Sequence, residues 1–101
     1  MPVKYDLEVE DVGVCPYNVG SYIVDVGNKF MCNCSASRAA SAYGAVWGDG
    51  VYWYRSDLCG AAVHAGVVDR NGGEVLFTIA GNKNSLGGSR RNGIRSSPGR
   101  P

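Results

Sequence analysis

The side chains best equipped for chemistry are four cysteines, Cys15, Cys32, Cys34 and Cys59, and one histidine, His64. A thiolate beside an imidazole is the pairing of cysteine hydrolases, and three thiolates with an imidazole make a zinc set. Cys59 and His64 stand five positions apart in a stretch that reads as helix. Five residues turn a helix by about 500°, which leaves the two side chains some 140° apart, on different faces. They do not form a nucleophile–base pair with each other. Cys32, Cys34, Cys59 and His64 offer a Cys3His set, but zinc knuckles take Cys pairs about two to four residues apart, and Cys-x-Cys on a strand fits that poorly. No serine nucleophile elbow is present. Gly81-Asn82-Lys83-Asn84-Ser85 lacks the Gly-Lys-Ser/Thr that closes a phosphate loop. Asn33-Cys34-Ser35 has the form of a glycosylation acceptor, crowded if Cys34 is bridged, and is read as incidental. These residues point to no enzyme, no cofactor and no metal.

Two other features are suited to binding. Tyr43, Trp47, Tyr52, Trp53 and Tyr54 are clustered in sequence, and aromatic faces stack on sugar rings and give rigid contact area. Lys83, Arg90, Arg91, Arg95 and Arg100 lie in the last nineteen residues with no acid among them. Arginine forks match phosphate and sulfate oxygens. Asp6, Glu8, Glu10 and Asp11, in contrast, read as the solvated face of a strand.

The elements that must position these residues centre on Ser56–Gly66. Ser56 is a good N-cap, Asp57 places a negative charge at the positive end of the helix dipole, and Gly66 supplies a left-handed stop. Between them Gly60, Ala61, Ala62 and Ala65 accompany Leu58, Cys59 and Val63, with almost no charged face. That pattern predicts a short, mostly buried helix with other backbone packed close on several sides. Val3, Tyr5, Leu7 and Val9 alternate with Lys4, Asp6, Glu8 and Glu10, a half-buried strand broken at Asp11-Val12-Gly13. Val19–Val26 reads as a second strand, turning at Gly27-Asn28-Lys29 into Phe30–Cys34 as a hairpin, with Cys32 and Cys34 on one face. Ser35–Ala42 is a loop or one helical turn. Asp49-Gly50 is a hairpin signal before Val51–Tyr54. Asp69–Gly73 is a turn, Glu74–Ala80 a strand with Val75, Phe77 and Ile79 on one face, and Gly81–Gly93 a long polar loop.

The length suits one small domain, which buries a limited core and gains from cross-links. Fifteen glycines imply many turns and irregular strands. A net charge of +1 gives no argument for nucleic acid, and no apolar run approaches a membrane span. An even cysteine count in a short chain favours disulfides, with three connectivities open to four cysteines. Met1-Pro2-Val3-Lys4-Tyr5 has no apolar signal region, so the expectation is a domain excised from a longer exported protein. The alternatives are export by another route or a reduced cytosolic chain.

Tyr52, Ser56, Cys59, Ala61, Ala62, His64, Gly66 and Val67 resemble the signature of the LCCL domain, Tyr-x3-Ser-x2-Cys-x-Ala-Ala-x-His-x-Gly-Val. Tyr43–Gly48 is similar to the strand that approaches it, and Ser89–Ile94 to the family's Ser-x-x-Asn-Gly-Ile/Val run. The resemblance covers residues 13–97, leaving 1–12 as a flanking strand and 98–101 as a tail. The family usually closes with a strand carrying an aromatic pair, which is missing before the chain stops. The resemblance implies an α+β fold, a single central helix wrapped by short, irregular, mainly antiparallel strands. It implies bridges Cys15–Cys32 and Cys34–Cys59. It implies that Tyr52 is packed, which leaves Trp53 as the exposed aromatic. It further implies a non-catalytic extracellular or periplasmic module, part of a larger secreted protein, linked to host defence and matrix contacts. An anionic glycan or lipid such as lipopolysaccharide or a glycosaminoglycan is the expected ligand, with Trp53, Lys83, Arg90, Arg91 and Arg95 as candidate contacts. A structural or assembly domain, or a metal-stabilised intracellular domain, is the alternative.

Overall fold

The computed structural model describes residues 9–24, 26–41, 44–81 and 86–98. The expected strand over Val3–Val9, the loop residue Lys83, Tyr43 and Arg100 therefore lie wholly or mostly outside the described residues. The order of elements is β1 (Val9–Val14), a 3-10 turn (Gly20–Tyr22), β2 (Lys29–Cys34), α1 (Ala36–Ser41), β3 (Gly48–Asp49), β4 (Val51–Tyr52), α2 (Leu58–Ala65), β5 (Gly73–Thr78), β6 (Arg90–Arg91) and β7 (Ile94–Arg95).

α2 is the centre of the molecule. Every residue from Leu58 to His64 is buried. Small side chains let it pack against α1 on one side and the β6–β7 hairpin on another. Gly66 ends it at φ 83°, its N–H reaching the carbonyls of Ala62 and Val63. The start differs from the capping expected of Ser56. Asp57 is the N-cap residue but makes no side-chain cap bond. Instead, the first helical amide, that of Leu58, donates to the Tyr17 carbonyl at 2.7 Å. Ser56 Oγ accepts from the Trp47 amide at 3.0 Å and donates to the Trp47 carbonyl at 3.2 Å, pinning the strand that leads to the helix.

The main sheet has the order β1-β2-β5, with β1 parallel and β5 antiparallel to β2. β2 alternates as expected, with Phe30, Cys32 and Cys34 buried. Phe30 stands opposite Phe77, rings stacked at 5.4 Å, and Cys32 opposite Val75. The expected break at Asp11–Gly13 is a bulge inside β1, not its end: the register shifts there, with Gly13 at φ 81° and its amide donating to Asp11 Oδ1.

The expected strand over Val19–Val26, and its hairpin with Phe30–Cys34, do not form. Both edges of β2 are already occupied, by β1 and β5, so no edge remains for a third partner. The segment instead makes the 3-10 turn and places the Tyr22 ring 4.7 Å from that of Phe30. The β-branched run leaves Val24 and Val26 exposed. The polar stretch expected as loop up to Gly93 contains half of a second hairpin, β6–β7, turned by Asn92 (φ 53°) and Gly93 (φ 81°).

Two disulfides tie these pieces together, Cys15–Cys32 and Cys34–Cys59, as the family resemblance implies. Their half-cystines form one core cluster with Leu58, Ala62 and Val75; Ala39, Val46, Ala61, Val63 and Ile94 form the other. α2 carries residues of both. The result is an α+β domain with one main helix inside mixed, mostly antiparallel strands. Among the described residues, no helix is long and apolar enough to cross a membrane.

Candidate functional site

His64 has no exposed surface, and both ring nitrogens are engaged. Nε2 lies 3.2 Å from the Ser89 carbonyl, which only accepts, so Nε2 carries the hydrogen. Nδ1 then accepts from the Tyr52 hydroxyl at 2.8 Å. The His64 main-chain carbonyl accepts from Asn92 Nδ2 at 2.9 Å. His64 thus links β4, α2 and the β6–β7 hairpin, and its buried ring is held in place by hydrogen bonds at both nitrogens. Burial pushes the Tyr52 phenol above its ordinary value of 10.0.

The cysteines are likewise committed. Both bridges lie side by side in the core, with the sulfurs of Cys15, Cys34 and Cys59 within 4.8 Å of one another. As disulfide sulfurs they are neither thiolate nucleophiles nor thiolate ligands. The Cys3His set is thus not assembled in this oxidised fold, and Cys59 and His64 have separate partners.

Of the basic candidates, the hairpin presents three. Ile94 is buried against the second core cluster. Side chains alternate along a strand, so its neighbour Arg95 points the other way, and Arg90 stands directly opposite Arg95. Arg90 and Arg95 are both exposed, and among the described residues neither meets a carboxylate. Like charges set opposite each other on paired strands destabilise. Arg91 is different. Its Nη1 donates to Asp49 Oδ1 at 2.6 Å, joining the two hairpins. That hydrogen bond, seconded by one from Ser89, holds the Asp49 carboxyl below its ordinary 3.8. Arg70 braces the turn through the Gly93 and Ala40 carbonyls.

Trp53, expected as the exposed aromatic, is instead half-buried, no more open than Tyr52 or Tyr54, because neighbouring rings cover it. It packs edge-on to Trp47 at 4.9 Å and beside Tyr54 at 5.7 Å, and its indole nitrogen is enclosed without a hydrogen-bond partner. Its neighbour Arg55 lies over both rings, 5.9 Å from the Trp53 centroid and 5.7 Å from that of Tyr54. Trp53 and Tyr54 form one wall of an apolar groove of about 850 Å³, bounded elsewhere by α2 and by β5.

Arg38 is a contributor that the sequence did not mark, whereas Ser89 and Asn92 are fixed positions of the family-like run over Ser89–Ile94. Arg38 donates to the Cys15 and Pro16 carbonyls and stands 3.5 Å from Asp57 Oδ1, locking the first loop to the helix start. Ser89 and Asn92 anchor the basic hairpin to His64. Asn92-Gly93 carried a usable signal, because the pair favours a two-residue hairpin turn.

Comparison with known proteins places the chain in a family. The family model for the LCCL domain matches residues 14–100. Mouse vitrin is 38% identical over 71 residues, covering 70% of this chain and 11% of that protein. Clotting factor C of Tachypleus tridentatus is 35% identical over 82 residues, covering 81% of this chain and 8% of that protein. The chicken cysteine-rich secretory protein LCCL domain-containing 1 is 39% identical over 71 residues, 68% of this chain and 13% of that protein. The chain thus spans about a tenth of the length of the curated relatives it matches. By its signature, its disulfides, its fold and these matches, the chain belongs to the LCCL domain family.

Proposed function

We propose that this domain is a non-catalytic extracellular binding module for an anionic glycan or lipid surface, such as lipopolysaccharide or a glycosaminoglycan. The observation that carries this reading is the β6–β7 hairpin. Arg90 and Arg95 face outward as an opposed pair with no carboxylate beside either among the described residues. A pair of guanidinium forks held side by side offers several N–H donors to one phosphate or sulfate group. The rigid mounting supports the same reading, because Ile94, Asn92 and Ser89 fix the hairpin to α2. Arg91 serves the mounting through Asp49, so the contacts are Arg90 and Arg95, with Lys83, outside the described residues, kept as a further candidate from the sequence.

The extracellular setting rests on the two disulfides, which persist in oxidising compartments, and on relatives that include a clotting factor and a protein named as secretory. Those relatives favour secretion over a periplasmic setting. The bridges also weigh against a metal-stabilised intracellular domain, whose cysteines must be free thiolates. Retention of the purified domain on immobilised lipopolysaccharide and heparin, at low and high salt, tests the proposal. Retention at low salt that weakens as salt screens the charges is expected. Passage through both resins at low salt would leave a purely structural or assembly role.

A further inference from the structure

Among the described residues, the outer edge of β5 is unpaired. β5 is the last strand of the sheet, and its inner edge alone faces β2. Which main-chain groups face outward follows from the residue just beyond it. The Ile79 amide donates to the Asn28 carbonyl, and the Ile79 carbonyl accepts from the Gly27 amide, so both groups of Ile79 point toward the β2 side. Main-chain direction alternates along a strand, which turns Val75 and Phe77 inward and the N–H and C=O of Leu76 and Thr78 outward. Among the described residues nothing pairs with these four groups.

The apolar groove runs along this same edge. Its wall includes consecutive residues of β5 from both faces, which only a space lying alongside the strand can touch. Leu76, Ile23, Val26, Val51 and Val67 all line it and are exposed. Edge strands are ordinarily blunted by charge, proline or cover, and contiguous exposed aliphatic side chains mark binding surfaces. β5 carries one charge, Glu74 near its start, and neither charge nor proline stands on Leu76–Thr78. Two side-chain polar atoms nearby are already spent, the Tyr52 hydroxyl on His64 and Ser56 Oγ on Trp47. Along the β5 edge the groove offers a regular row of main-chain hydrogen-bonding groups. At its rim, the Arg55 cation lies over Trp53 and Tyr54 and meets no carboxylate among the described residues.

We infer that β5 takes an additional strand from a partner polypeptide: an extended segment of alternating apolar residues with an acidic side chain opposite Arg55. Main-chain bonds to Leu76 and Thr78 give it register, the groove takes every second side chain, and Arg55 supplies the charge match. This surface shares no residue with the Arg90–Arg95 pair, so the two sites succeed or fail separately.

The probe is a short synthetic peptide of alternating valine and threonine with one glutamate, titrated into the whole chain and followed by amide resonances and hydrogen exchange. The Leu76 and Thr78 amides should shift and become protected. Thr78→Pro removes an outward amide while sparing the ladder to β2, and Leu76→Lys charges an exposed position. Thr78→Pro should weaken peptide binding about tenfold, the scale of one lost hydrogen bond, and Leu76→Lys should weaken it by replacing an apolar contact of the groove with a charge. Leu76→Lys should leave the melting temperature unchanged, so its result stands even if Thr78→Pro disturbs folding. Unshifted, freely exchanging Leu76 and Thr78 amides at saturating peptide would overturn the inference. So would unchanged affinity in Leu76→Lys, self-association of the chain protecting the same amides without peptide, or occupation of the groove by an alkyl phosphate in preference to peptide.

Discussion

The Tyr52 hydroxyl donates to His64 Nδ1 at 2.8 Å, with the two rings perpendicular and their centroids 5.6 Å apart. Two signature residues twelve positions apart are thereby joined, one on the strand entering the helix and one near its end. A buried imidazole nitrogen without a donor is costly, so Tyr52→Phe should destabilise by about 1–3 kcal/mol although only one oxygen is lost. Chemical denaturation of the variant beside the parent measures this.

The same phenol gives a pH signature. Burial raises its ionisation above 10.0, so the folded state favours the neutral form. Its stabilisation is complete below 10.0 and is lost as pH rises through the raised value. Phenolate absorbance should show one of the six tyrosines ionising late, and Tyr52→Phe should remove that late step.

Asp49 behaves oppositely. The Arg91 hydrogen bond lowers its carboxyl below 3.8, so the link between the two hairpins holds above the ordinary carboxylate range and is lost as pH falls through the lowered value. Both side chains are exposed, so added salt should weaken the link. The Asp49 carboxyl resonance should titrate low in the parent and move up toward the ordinary range in Arg91→Ala, with the Ser89 hydrogen bond still lowering it.

Backbone shape makes a sharper demand at Gly72. It lies at φ 84°, and a Cβ there would strike the Cys34 carbonyl oxygen and approach the Ala36 amide at 2.9 Å. Gly72→Ala should cost about 3 kcal/mol from strain and overpacking together. That is a fall of roughly 15 °C in melting temperature.

The bridges span 17 and 25 positions, and each should contribute about 3 kcal/mol. Intact mass should rise by about four units on reduction, with both bonds opened. A chain that gains nothing holds its cysteines as thiols.

What sequence made legible was local. The small residues and terminal glycine of Leu58–Gly66 announced a buried helix, and the alternation at Phe30, Cys32 and Cys34 announced a strand with two half-cystines on one face. Val19–Val26 misled, because β propensity says nothing about whether an edge is free, and β2 had none left. Ser56 misled because its hydroxyl is held by Trp47, a tertiary contact nine residues away. The basic cluster was visible as composition. Its division into Arg91, paired with Asp49, and Arg90 and Arg95, which meet no carboxylate among the described residues, was not, since Asp49 lies 42 positions from Arg91.

That division supplies the most direct test of anion binding. Arg90→Ala/Arg95→Ala and Arg91→Ala should be run with the parent on heparin and lipopolysaccharide resins across a salt gradient. The parent should elute last, the double variant should lose most of its retention while melting no lower than the parent, and Arg91→Ala should show mainly reduced stability. A parent that is never retained, or a double variant eluting with the parent, contradicts the account.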